Sequence, residues 1–252
     1  MKQDTRRTVL FVVLSYLLMW AVFGVKVLSG GEAGFIFGAL SAIGPALAAF
    51  LVAGNAMGYK RFLSCSFTFE QRSSYYLVFL LFAAWRYGLC MLVGERVPGS
   101  SLLLPLVLLP ICIFTGGMEE FGWRGFLQPQ LQKKMHSIPA TFIIVFVWAF
   151  WHLPLWFVPG AVGKGSLIEF FIFLGFSLTN SFSLAAIYKI TNSALLCVLF
   201  HAWSNAITNT FMPTGDFKTI AGFALEGAVS MVILLLCEKG VLKTAKPRME
   251  NM

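Results

Sequence analysis

Charged residues are scarce in this chain. Asp, Glu, Lys and Arg make up 12% of its 252 residues, against roughly 25% in soluble globular domains. Hydrophobic residues make up 58%, and they come in runs of about twenty, the length that crosses a bilayer as a helix. The sequence therefore predicts an all-α, polytopic transmembrane bundle and excludes an ordinary soluble domain.

Signals for several other protein classes are also missing. The five cysteines include no C-x-x-C pair and lie mostly in apolar runs, so we interpret them as small hydrophobic residues. The N-terminal apolar run is longer than the ~7–15 residues of a signal peptide core, which favours a first span. The net charge of +8 comes mainly from Lys and Arg in short connections and at the two ends. That is the distribution of topology signals, so we expect no nucleic-acid partner.

Eight apolar segments have about the length of a membrane span: Thr8 to Leu28, Phe35 to Gly54, Tyr75 to Val93, Leu102 into the acidic motif, Ile138 to Val158, Leu167 to Tyr188, Ser193 to Phe211 and Ile220 to Cys237. Their short connections predict a single domain over residues 1–252. With eight spans, most basic residues share a side with the termini, and the other side carries Arg96, Lys164 and Lys218. This bias predicts that both termini are cytoplasmic, in the cytoplasmic membrane of a prokaryote or the endoplasmic reticulum of a eukaryote.

Two adjacent acids, Glu119 and Glu120, directly follow the fourth apolar run. A carboxylate at bilayer depth is costly, so it marks a candidate functional site. Arg124 lies four residues after Glu120, the favourable order for a structural ion pair on a helix. Glu119 projects about 100° away and is therefore the predicted general base. In two other spans, Arg86 and Glu226 form a possible ion pair.

Two of the three histidines also fall in predicted spans. His152 is surrounded by aromatic residues, and His201 precedes Asn205 by one helical turn, so these two share a face. Each alone is compatible with a hydrogen bond between helices. Together with Glu119 they match a hydrolase, in which the carboxylate activates water and His152 holds that water or shuttles its proton. His201 and Asn205 would then stabilise an oxyanion.

These residues resemble, in order and spacing, the three motifs of the CPBP (Abi) family of intramembrane proteases, which includes the type II, Rce1-like CAAX prenyl proteases. The resemblance covers roughly the second half of the chain, and the eight-span layout is similar. It implies a glutamic endopeptidase with Glu119 as catalytic base and His152 as its helper in activating water. His201 and Asn205 are implied to form the oxyanion hole.

The resemblance also implies supporting roles and partners. Glu120 and Arg124 would support the site, and no cofactor is implied. Trp148 stands where the second motif usually has Phe, which keeps an aromatic wall and leaves the shape of the substrate open. The expected partners are membrane lipid and a lipidated or hydrophobic peptide, either a prenylated C-terminus or a bacterial peptide.

Three alternatives stay open on the sequence. Two carboxylates and two histidines could ligate zinc, although no H-E-x-x-H motif is present. A proton-coupled transporter could use buried Glu and His as a relay, but the inverted repeat expected of such a protein is not visible. A non-catalytic membrane scaffold or immunity protein is the third.

Overall fold

The computed structural model describes residues 2–29, 35–69, 71–157 and 166–246. Three residues of the sequence predictions lie outside these ranges. They are Lys164, Arg248, which is one of the basic residues on the predicted side of the termini, and Val158, where the fifth predicted span ends. The α-helices and β-strands run in the order α1 (Lys2–Ser29), α2 (Phe35–Met57), α3 (Tyr59–Ser66), α4 (Ser73–Val93), β1 (Glu95–Arg96), α5 (Leu104–Thr115), α6 (Glu120–Gly122), α7 (Gln128–Gln132), α8 (Ser137–Trp151), α9 (Leu167–Thr191), α10 (Ala194–Ile207), β2 (Phe211–Met212) and α11 (Phe217–Glu238).

The predicted all-α membrane architecture is confirmed. Six helices among the described residues are long and apolar enough to cross a membrane: Gln3–Val25, Ala39–Met57, Ser73–Val93, Ser137–Trp156, Leu167–Thr191 and Phe217–Glu238. Large apolar side chains such as Leu92 and Val107 stay exposed on these and neighbouring helices. Such a surface suits lipid rather than water, and the chain is a multi-pass membrane protein.

The fourth predicted span is broken at the acidic motif. The segments Leu104–Thr115 and Gly117–Gln132 are bent by 45° against each other and count together as one further span at most. After Gly116 the chain passes through a 3₁₀ turn, Gly117–Glu119, then α6, and then a π-helical turn, Trp123–Leu127. Because π-helical turns are frequent at functional sites, the break itself singles out this segment.

The length of the seventh predicted span is wrong. It was expected to reach Phe211, whereas α10 ends at Ile207 after 14 residues and is about 21 Å long. A span needs about 30 Å. The chain instead turns into β2, which pairs antiparallel with β1. Most residues of α10 are buried by protein, so the length of this helix does not have to match the thickness of the bilayer.

Helix α10 packs tightly against the broken segment. A Cβ atom added to Gly117 would lie 2.8 Å from the carbonyl oxygen of Val198 and 3.3 Å from the Cβ of Ala202. Small residues allow two helical backbones to approach this closely inside a membrane. The glycines beside the acidic pair therefore bring the acidic motif into contact with the helix that carries His201 and Asn205.

Candidate active site

Glu119 lies in the 3₁₀ turn at the break and is 4% exposed. Its Oε2 accepts a hydrogen bond from the indole Nε1–H of Trp148 on α8, at 2.6 Å. This is a short contact of the kind that forms between a donor and a charged acceptor. The indole donor was not anticipated from the sequence, where Trp148 was interpreted as an aromatic wall.

His152 follows the last residue of α8 and faces the same carboxylate. Its Nδ1 lies 2.8 Å from the carbonyl oxygen of Trp148. Because a carbonyl only accepts, Nδ1 carries the proton, and Nε2 of the neutral ring is an acceptor. Nε2 lies 3.9 Å from Glu119 Oε1, which is too far for a direct hydrogen bond and suits two groups that share a water molecule.

Glu120 has two partners. Its Oε2 lies 3.1 Å from Arg124 Nη1, which confirms the predicted i,i+4 ion pair. Its Oε1 lies 2.8 Å from Nδ1 of His201 on α10. Arg124 in turn donates from Nη2 to the carbonyl oxygen of Ser181 on α9 at 3.1 Å. The link to His201 was not predicted, because the two residues are 81 positions apart and no local pattern connects them.

His201 and Asn205 both approach the backbone of Gly116. A Cβ atom added to Gly116 would lie 2.3 Å from Asn205 Nδ2 and 3.6 Å from His201 Nε2. The Asn205 amide therefore occupies space that a side chain at position 116 would fill, and the His201 imidazole lies next to it. His201 is buried and Asn205 is half-buried.

The Trp148 ring contacts both histidines of the candidate site, His152 and His201. Its ring centroid lies 4.6 Å from that of His152 and 5.6 Å from that of His201. The fold thus brings together all the residues proposed from the sequence, from the broken segment, α8 and α10: Glu119, Glu120, Arg124, Trp148, His152, His201 and Asn205. Their catalytic roles stay predictions. Gly116 and the indole N–H of Trp148 are additions that the structure supplies.

The zinc alternative can be compared with this geometry. Among residues 2–29, 35–69, 71–157 and 166–246, no group of three or more His, Cys, Asp or Glu side chains is arranged to hold a metal ion. Glu120 and His201 point at each other, and Arg124 lies on the other Glu120 oxygen. The Glu120 carboxylate and the His201 ring are therefore engaged in the protein's own ion pairs.

Comparison with known proteins points to the same segment. Residues 101–207 match the sequence model of type II CAAX prenyl endopeptidases, Rce1-like. CAAX prenyl protease 2 of Methanococcus maripaludis is 26% identical over 141 residues, which cover 54% of this chain and 51% of that protein. The alignment thus spans about half the length of this relative. The family match contains every residue of the candidate site, and over this segment the chain is similar to type II CAAX prenyl endopeptidases.

Proposed function

We propose that this protein is an intramembrane endopeptidase that hydrolyses a peptide bond with a water molecule activated by Glu119. The observation that carries the proposal is the 3.9 Å separation between Glu119 Oε1 and His152 Nε2. Two acceptors at this distance can each take a hydrogen bond from one water molecule. A buried carboxylate within reach of that water is a competent general base.

The reaction would proceed in two proton transfers. Glu119 takes one proton from the water molecule as the water oxygen attacks the scissile carbonyl carbon. His152 Nε2 accepts a hydrogen bond from the other water O–H, which stays on the attacking oxygen, and so fixes the direction of attack. The carbonyl oxygen becomes an oxyanion. When the tetrahedral intermediate collapses, the C–N bond breaks and the protonated Glu119 returns its proton to the leaving amine. No side-chain nucleophile is needed.

His201 and Asn205 are the proposed oxyanion donors. Asn205 offers its Nδ2 hydrogens near Gly116. Because Glu120 Oε1 faces His201 Nδ1, an imidazolium at this position donates from Nδ1 to the carboxylate and from Nε2 to the oxyanion. The absence of a side chain at Gly116 leaves room for the Asn205 amide beside His201, so that both donors can serve one oxyanion. Such donors are typically worth ~2.7–4 kcal/mol each in the transition state.

The proposed substrate is a hydrophobic or prenylated peptide. The catalytic carboxylate lies between apolar spans, so a substrate must enter a low-dielectric environment, where lipid-like segments are favoured. The family match and the relative both carry the description of a CAAX prenyl protease. A C-terminal peptide with a prenylated cysteine is therefore the first substrate to test, and an unlipidated hydrophobic peptide is the second.

The test is cleavage of a farnesylated CAAX peptide and its unlipidated counterpart by the purified protein in detergent. Wild type is compared with Glu119→Gln, His152→Ala and His201→Ala, with each variant's folding checked by thermal unfolding. We expect cleavage by wild type and its near-complete loss in Glu119→Gln. Cleavage undiminished in Glu119→Gln would refute the proposed base. A protein that keeps its cellular role with Glu119→Gln would instead favour a scaffold or immunity function.

A further inference from the structure

We propose that Trp148 is a positioning residue for the catalytic base, one whose indole N–H holds one oxygen of Glu119 so that the other faces His152. The inference deepens the proposed function and rests on it. Where the family's second motif usually has Phe, this chain places a hydrogen-bond donor. A phenyl ring could fill the same space but could not bind the carboxylate.

The two carboxylate oxygens have separate partners in the structure. Oε2 is bound by the indole of Trp148 at 2.6 Å, and Oε1 lies 3.9 Å from His152 Nε2. The terminal torsion of a glutamate side chain is broad, so burial alone would leave the carboxylate plane poorly defined. The strong donor on Oε2 restricts that plane and leaves Oε1 facing His152 and available for the water.

The indole is itself held in place. Trp148 is 6% exposed, and its ring stacks on Phe173 with centroids 5.8 Å apart and planes 28° apart. Its edge contacts with His152 and His201 close the other sides. A donor fixed by such packing does not have to reorient as charge moves during the reaction, which is the condition for effective preorganisation.

The contribution of the indole can be separated from that of the backbone. The carbonyl oxygen of Trp148 accepts a hydrogen bond from His152 Nδ1–H, and any residue at this position supplies a carbonyl. Trp148→Phe therefore removes the donor to Glu119 while leaving the tautomer of His152 unchanged. Any effect beyond loss of ring volume belongs to the N–H group.

The same helix offers a matched control. Trp151 is also buried on α8, and its indole Nε1–H donates to the carbonyl oxygen of Ser15 at 2.9 Å, away from Glu119. Trp151→Phe therefore removes the same atoms and one buried indole hydrogen bond. A general effect of thinning the aromatic packing should appear in both variants.

The experiment measures kcat and KM on the farnesylated CAAX peptide for wild type, Trp148→Phe, Trp151→Phe and Glu119→Gln. We expect Trp148→Phe to lower kcat roughly 10- to 100-fold, the range for a hydrogen bond to a charged group, with KM nearly unchanged. Trp151→Phe should stay within about threefold of wild type, because the phenyl ring keeps an aromatic contact with His152 and the lost indole N–H binds Ser15 rather than Glu119. If Trp148→Phe does not fold, benzothienylalanine at position 148 removes the N–H while keeping the shape.

A second measurement is independent of the substrate. Dicyclohexylcarbodiimide modifies protonated carboxyl groups in apolar surroundings, and mass spectrometry reports the rate at Glu119. Because an indole donor favours the carboxylate form, its removal should speed this modification several-fold in Trp148→Phe and leave Trp151→Phe unchanged.

The outcomes distinguish the two proposals. Full activity in Glu119→Gln would refute the proposed base. Loss of activity in Glu119→Gln together with wild-type kcat in Trp148→Phe would leave the base in place and overturn the role of Trp148. Equal losses in the two tryptophan variants would also overturn it. If the peptide is not cleaved at all, an unchanged carbodiimide rate in Trp148→Phe is the result that rejects the proposal.

Discussion

Arg86 on α4 and Glu226 on α11 form a buried ion pair through two guanidinium nitrogens. Nη2 lies 2.7 Å from Glu226 Oε1, and Nε donates to Oε2 at 2.9 Å. The remaining Arg86 nitrogen donates to Ser204 Oγ on α10 at 3.1 Å. The sequence predicted this pair as a possibility, and the structure confirms it. Its contact with Ser204 places the pair against α10, the helix of His201 and Asn205.

The first prediction concerns the stability that depends on this pair. Arg86→Met leaves Glu226 buried without its countercharge, which should lower the free energy of unfolding by about 3–5 kcal/mol. The double variant Arg86→Met/Glu226→Met removes both charges and should recover much of that loss, because a buried pair is often replaceable by apolar residues. Unfolding in mixed detergent micelles measures both values. A double variant less stable than the single would contradict this account.

The second prediction concerns Glu120, which lies between Arg124 and His201. Glu120→Gln keeps the side-chain shape but removes the charge that faces Arg124 and His201. We expect kcat to fall roughly 10- to 100-fold, in line with the loss of a hydrogen bond to a charged group, and the protein to be less stable. Peptide cleavage and thermal unfolding measure the two effects.

The control for Glu120→Gln is Glu95→Gln. Glu95 is exposed on β1, outside the candidate site, and its substitution should leave both activity and stability near wild type. Wild-type kcat in Glu120→Gln would show that His201 does not depend on this carboxylate.

The third prediction concerns Gly116. In Gly116→Ala the new methyl group would lie 2.3 Å from Asn205 Nδ2, so the amide must move. A displacement of about 1 Å at a catalytic group can cost ~100-fold in rate, and we expect a kcat loss of that order. Gly88→Ala in α4 is the matched control, because a Cβ there meets nothing within 4 Å. That variant should keep its activity and gain ~0.5–1 kcal/mol in stability.

The fourth prediction concerns metal dependence. The proposed mechanism draws its base, its water ligand and its oxyanion donors from Glu119, His152, His201 and Asn205. Activity should therefore persist at the wild-type rate after incubation with EDTA or 1,10-phenanthroline. Loss of activity that added zinc restores would instead support the metalloprotease alternative.

The membrane character and the candidate site residues could be predicted from local sequence. Apolar runs of about twenty residues predict spans from hydropathy alone. Glu119, Glu120, Arg86 and Glu226 lie in or next to such runs, and they are noticeable because a charge is costly to place in a membrane. The i,i+4 spacing of Glu120 and Arg124 predicted their ion pair, since helix geometry relates neighbours one turn apart. All of these inferences use information within a few residues along the chain.

Partners across the bundle could not be read in that way. The contacts of Glu120 with His201, of Trp148 with Glu119 and of Gly116 with Asn205 join segments far apart in sequence. The short length of α10 and the 45° break before the acidic pair depend on neighbouring helices, because these segments are surrounded by protein rather than by lipid. Hydropathy reports the cost of placing a side chain in a membrane, whereas a hydrogen bond depends on where two side chains meet. For this reason composition identified the acids, and helix packing assigned Glu120 to His201 and Glu119 to Trp148.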